Sequence, residues 1–110
     1  MATPNAVPKD TRAGTPPLPD YNDVIVLGAA SAETWTVPAN VHWVIMEPTA
    51  AIWVNVTTTA TVPAADVVDG TASFRMSTPS QFVVSPGQAV SLIRESGAAT
   101  VSISCWTNNP

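Results

Sequence analysis

From residue 22 onward, the sequence is divided into short runs of β-branched and aromatic residues separated by turn residues, with no run of helical periodicity. The clearest run is Ala99–Trp106, in which Val101, Ile103 and Cys105 alternate with serines and with Trp106. Alternation with a period of two is typical of a strand that buries one face. This pattern favours a fold built from strands alone.

The composition favours the same class. Valine (15) and threonine (14) are frequent, whereas leucine and glutamate occur three times each. β-Branched side chains fit a pleated sheet, while leucine and glutamate favour helices. Charged residues make up 11% of the chain, against about 25% in a typical soluble domain.

Turn residues at regular spacing predict six or seven strands, and therefore a small β-sandwich or jelly-roll-like domain over residues 22–110. The runs between 32 and 56 predict a meander, with a turn at Pro38-Ala39-Asn40. Residues 88–94 and 99–106 predict a hairpin. The predicted strands are 22–30, 32–37, 41–47, 50–56, 81–84, 88–94 and 99–106.

Residues 1–21 differ from the rest of the chain because they are rich in proline. Proline fixes φ and removes a backbone donor, so this segment predicts an extended arm without a core of its own. The arm is expected to lie across a neighbouring subunit through Pro4, Pro8, Pro16 and Pro17. The alternative is a disordered tail.

No set of residues predicts catalysis, a cofactor or a metal site, so the chain is expected not to be an enzyme. His42 is the sole histidine and no G-x-S-x-G motif occurs, so a triad is not indicated. Cys105 alternates with apolar residues, which predicts a buried and inert thiol. Asp66 and Asp69 could suggest a calcium loop, but the acids that an EF-hand needs at fixed offsets are missing, and an ordinary turn is favoured.

Charge and hydropathy exclude further classes of partner. The net charge is −4 and no basic run occurs, so direct binding to nucleic acid is not expected. No run approaches the length of about 18 apolar residues that a membrane helix needs, and no signal peptide is recognised, so synthesis in a cytosol is expected. A surface so poor in charge predicts coverage by protein partners.

Two tryptophans are candidate interface residues. Trp53 and Trp106 each alternate with an aliphatic row, so burial of that row predicts that both indoles face outward. Exposed tryptophans contact either proteins or sugars, and the scarcity of neighbouring carboxylates and amides favours a protein.

A long connection forms the second candidate interface. Residues 57–73 have no clean period yet carry Val62, Val67 and Val68. Long irregular connections in compact domains are often functional. We expect this segment to stay outside the core, to exchange its amides quickly in the free protein, and to contact a neighbouring subunit.

The segment Thr59–Ser73, with the pattern TAxxPAADxxDGTxS, resembles small virion-associated proteins of tailed bacteriophages. Two further units share the resemblance, the strand-turn unit at 34–40 and the final strand at 100–106. The resemblance covers about residues 24–106 and leaves the arm uncovered.

The resemblance implies a head decoration, or cement, protein that binds the major capsid protein and stabilises the shell. It further implies a homo-oligomer, with a trimer as one form, located in the virion after assembly in the host cytoplasm. The alternatives are a head fibre, neck or tail component, or a carbohydrate-binding β-sandwich module used in host attachment.

Overall fold

The computed structural model describes residues 18–107, which form eight β-strands in two packed sheets. No helix in that range is long and apolar enough to cross a bilayer. The strands are β1 (Tyr21–Leu27), β2 (Glu33–Thr36), β3 (Trp43–Pro48), β4 (Ile52–Asn55), β5 (Phe74–Met76), β6 (Ser80–Val83), β7 (Ala89–Arg94) and β8 (Ala99–Trp106).

The strand order identifies the topology as a jelly roll. The first sheet has the order β1-β8-β3-β6 and the second has the order β2-β7-β4-β5, with every pair antiparallel. Consecutive strands alternate between the two facing sheets except for β4 and β5, which pair in the second sheet, and this order is that of a jelly roll. The predicted all-β fold class is therefore confirmed.

The predicted local pairings are wrong. Strands β2, β3 and β4 alternate between the two sheets and form no meander, and β7 and β8 lie in different sheets and form no hairpin. The turn residues do reverse the chain, since Asn40 adopts a φ of 68° and Gly97 a φ of 67°. A turn sets where a strand ends, but packing of the apolar faces decides which sheet the next strand joins.

The core lies between the sheets and follows the alternation along each strand. In β8, Val101, Ile103 and Cys105 are fully buried, as the sequence predicts. Strand β5 was not predicted, because three residues are too few to show a period. The buried cluster contains Leu27, Trp35, Val37, Val41, Val44, Met46, Ile52, Met76, Val90, Leu92, Ala99, Val101, Ile103 and Cys105.

Hydrogen bonds at β1 join it to the second sheet and to the end of its neighbour β8. The Trp35 indole nitrogen donates a hydrogen bond to Asp23 Oδ2 at 2.8 Å, which joins β2 of the second sheet to β1 of the first. The Asp20 backbone donates to the Cys105 carbonyl, and its carboxylate accepts from Thr107. The folded domain therefore includes residue 20, slightly before the predicted boundary at residue 22.

Candidate functional site

Trp106 lies on the outer side of the first sheet, as its alternation predicts, but the prediction that it is exposed is wrong. Its side chain is only 3% exposed. It lies directly opposite Trp43 in the β3–β8 register, and the two rings stack with centroids 4.1 Å apart. Because each ring covers a face of the other, alternation alone cannot tell whether an outward-facing indole is exposed.

Trp43 carries an orphaned polar atom at this stack. Its indole nitrogen is buried and has no hydrogen-bond partner within the described part of the chain. A buried donor without an acceptor costs about 1–3 kcal/mol. The stack is therefore held by ring contact and burial, without a hydrogen bond from Trp43.

Trp53 lies on the outer side of the second sheet and is half-buried. Its indole nitrogen donates to Glu95 Oε1 at 3.1 Å, and Arg75 forms an ion pair with the same carboxylate at 2.7 Å. This cluster of Trp53, Arg75 and Glu95 is exposed enough to meet a ligand, but its polar groups already bond to one another.

The segment after β4 folds back over the outer face of the second sheet. Asn55 Oδ1 accepts hydrogen bonds from the backbone of Thr57 and Thr58. The Ala60 backbone donates to Ser91 Oγ at 2.9 Å, and Ala60 is buried. Ala60 and Ser73 are nevertheless buried, because these small residues pack against buried polar groups on the outer face of the sheet, outside the core between the sheets.

The valines of this segment remain at the surface. Val68 is almost fully exposed, and Val62 and Val67 are partly exposed. Directly after Val68, Asp69 Oδ1 accepts hydrogen bonds from the Thr71 backbone and hydroxyl, and Gly70 has a φ of 86°. Asp69 therefore makes an ordinary turn, as expected, and these hydrogen bonds hold its pKa below the usual value.

The remaining residues singled out in the sequence are the prolines of the arm and Cys105. Pro4, Pro8, Pro16 and Pro17 lie outside the described residues. Cys105 is fully buried, and burial together with the Asp23 charge raises the pKa of its thiol to about 11. No cluster of three or more His, Cys, Asp or Glu side chains that could hold a metal ion occurs in residues 18–107.

The structure also contains an apolar cleft that sequence reasoning missed. It has a volume of about 390 Å³ and opens between the edge strands β5 and β6, which belong to different sheets. Phe74 and Phe82 meet across the gap edge to face, with centroids 5.8 Å apart. The cleft is lined by Met46, Val54, Asn55, Val56, Thr57, Ala72, Phe74, Phe82, Val83, Val84, Gln88 and Val90.

The rim of the cleft exposes large apolar side chains. Phe74 points to the core side of β5 but is 54% exposed, because β5 is the last strand of its sheet. Val83 on β6 is 76% exposed, and Val56 is half-exposed. No run of the sequence marked this site, since Val56, Phe74 and Val83 come together only when the two sheets pack.

The cleft is lined by apolar and uncharged polar residues. Its floor is formed by buried Met46 and Val90, and no titratable side chain lines it. An apolar pocket with exposed apolar residues at its rim is suited to receive an aliphatic or aromatic side chain of another protein.

Comparison of this chain with protein-family models, curated proteins and solved structures finds no match.

Proposed function

We propose that this chain is a structural protein of a tailed-phage virion, a decoration protein that binds the major capsid protein through protein contacts. The observation that carries the proposal is the apolar cleft between β5 and β6, with Val56, Phe74 and Val83 exposed at its rim. Full burial of such a side chain contributes about 1.5–3 kcal/mol. Several copies bound to one shell would together stabilise it through many modest contacts.

Two other features support a structural role. The jelly roll is a fold of viral capsid domains, although lectins and cupins share it. In addition, the outer face of the first sheet carries Val24, Val26, Ile45 and hydroxyl side chains, with Glu47 as its charged residue. A nearly uncharged sheet face is better suited to a protein contact than to solvent.

The test combines localisation with reconstitution. Virions from the natural source of the chain are labelled with antibodies against it and imaged by electron microscopy. Shells that lack the protein are then mixed with wild-type protein, and the bound copies are measured by co-sedimentation. The proposal expects label on the head and saturable binding to shells; label confined to the neck, fibres or tail, or no binding, would contradict it.

The role of the cleft is tested with Val83→Lys, which places a charge on its rim. We expect wild-type stability and a loss of shell binding of about tenfold or more. Thr36→Lys adds the same charge to an exposed position on β2, which belongs to the other edge of the second sheet, and should bind shells normally. Equal binding by both variants would remove the cleft from the interface.

A carbohydrate-binding module is the second candidate, and the Trp53 cluster favours it. A half-buried indole beside Arg75 and Glu95 offers a stacking surface with polar groups at its margin. Sugars bind proteins through such combinations of ring faces and hydrogen bonds. Glycan-array binding that Trp53→Ala abolishes would favour this candidate over the decoration protein.

A further inference from the structure

The four edge strands of the sandwich differ in how well they are protected from pairing. Strands β2, β5 and β6 are four, three and four residues long. Pro79 and Pro86 lie just outside the ends of β6, and Arg75 lies in β5. Short edges, prolines and charges are the devices by which proteins prevent strands from pairing between molecules.

Strand β1 is less protected within its own length, although Pro19 lies two residues before it and Asp23 is a charge on its inner side. It is seven residues long, contains no proline and no cation, and runs without interruption from Tyr21 to Leu27 beside β8. Its opposite edge has no strand partner among residues 18–107. Its outer face exposes Val24 by 61% and Val26 by 60%. A long free edge that exposes apolar side chains is a template for another strand.

The one charge within β1 is turned inward. Asp23 points to the core side of the strand and accepts the Trp35 indole hydrogen bond at 2.8 Å. An inward charge can itself oppose pairing of an edge. Here its carboxylate is held towards Trp35 of the same domain, and the outer residues of β1, Asn22, Val24 and Val26, carry no charge.

We propose that β1 pairs antiparallel with β1 of a second copy, so that the two first sheets join into one continuous eight-stranded sheet. With Val24 on the two-fold axis, all seven residues of each strand are paired. About six to eight backbone hydrogen bonds would form. The remaining pairs are Tyr21 with Leu27, Asn22 with Val26, and Asp23 with Ile25.

In this register β1 pairs with itself without placing like charges directly opposite each other. Outward residues lie opposite outward residues, because Val24 meets Val24 and Asn22 meets Val26. Asp23 lies opposite Ile25, so like charges do not face each other directly. A second copy is the proposed occupant because a two-fold pairing covers the free edge, Val24 and Val26 of both molecules at once. The proposal rests on the edge strands of the two sheets and does not depend on the proposed role as a virion decoration protein.

The first test measures the mass of the full-length chain by sedimentation equilibrium. We expect a reversible dimer of twice the 11.4 kDa chain mass. Val24→Lys places two ammonium groups opposite each other and should raise the dimer dissociation constant by about tenfold or more. Val83→Lys makes the same change at an exposed position on the other edge of the same sheet and should leave the dimer intact.

The second test locates the axis by disulfide formation. Paired Cα atoms in an antiparallel ladder lie about 4.5–5.5 Å apart, which is within the range that a disulfide spans. Val24→Cys should therefore oxidise to a cross-linked dimer, whereas Val83→Cys at the same concentration should not. The native Cys105 will not compete, because it is fully buried and its thiol pKa is about 11.

A third variant separates the proposal from its rival, in which Asp23 keeps β1 unpaired. Asp23→Asn removes the charge but keeps an oxygen that can accept from Trp35. We expect wild type and this variant to dimerise alike, within about a factor of ten. A monomeric wild type, dimerisation only in Asp23→Asn, a trimer mass, or a dimer disrupted by Val83→Lys but not by Val24→Lys would each overturn the proposal.

Discussion

The indole rings of Trp43 and Trp106 stack on the outer side of the first sheet, with centroids 4.1 Å apart and planes 6° from parallel. Both side chains are buried although they face away from the core between the sheets. The stack lies where β3 begins and β8 ends, and Cys105, which adjoins Trp106, is bonded through its carbonyl to Asp20. The stack therefore lies at the end of the sandwich where the described residues 18–107 begin and end.

The first prediction concerns this stack. Trp106→Ala should lower the free energy of unfolding by about 3–5 kcal/mol, because it removes a buried indole and uncovers Trp43. Chemical denaturation of the isolated protein measures the loss. Trp53→Ala is the matched control and should cost about 1 kcal/mol, since that ring is only half-buried. Equal losses in the two variants would show that the stacked indole stabilises the fold no more than the half-buried Trp53 does.

The second prediction concerns Asn55, which holds the segment after β4. Asn55→Ala leaves the Thr57 and Thr58 backbone donors and the buried Ser73 hydroxyl without this partner, so we expect a loss of about 1–3 kcal/mol. Hydrogen exchange should accelerate at Thr57 and Thr58. In the wild type these amides and those of Ala60 and Thr61 should be protected, contrary to the fast exchange expected from the sequence.

A control for Asn55 is available in the same turn. Thr57→Val removes only the hydroxyl bond to Asn55 and leaves the backbone bond in place. The exposed hydroxyl should contribute no more than about 0.5 kcal/mol. Slow exchange at Thr58 in Asn55→Ala would mean that other contacts hold the segment.

The third prediction is a pH dependence at Glu95. The hydrogen bond from Arg75 is the main cause that lowers the pKa of this carboxyl below its usual 4.5; partial burial opposes the shift, and the Trp53 donor and the Arg75 charge add to it. A lowered pKa in the folded state means that the stabilisation is present above pH 4.5 and is lost as the pH falls through the folded value.

Glu95→Gln measures this contribution. The wild type should be more stable than the variant near neutral pH, and the difference should shrink as acid protonates Glu95 and as salt screens the exposed pair. In the background of Arg75→Gln, the same change at Glu95 should have a much smaller effect. A difference that is constant from neutral to strongly acidic pH would refute the role of ionisation.

The fourth prediction concerns Cys105. Burial raises the pKa of its thiol from 9.0 to about 11, so little thiolate forms in the folded protein at pH 8. A disulfide reagent should therefore label Cys105 slowly in native buffer and rapidly in denaturant. Because the unfolded thiol loses its proton first, stability should decline as the pH rises from 9 towards 11. Fast labelling of the native protein would place the thiol at the surface.

The sequence by itself determined the fold class and much of the core. The alternation of Val101, Ile103 and Cys105 with serines identified β8 and its buried face, because a strand's side chains point to opposite sides by covalent geometry. Turn residues such as Asn40 and Gly97 marked where strands end, because they tolerate a positive φ. These are local properties, and local sequence is enough to specify them.

The tertiary structure alone decided which strands pair and which surfaces remain exposed. The jelly-roll order, the stack of Trp43 on Trp106, and the cleft between Phe74 and Phe82 all join residues from distant parts of the chain. Alternation places a side chain on one face of a sheet but does not say what covers that face. Whether an indole is buried or a phenyl ring is exposed depends on the packing of the two sheets, which the whole chain determines together.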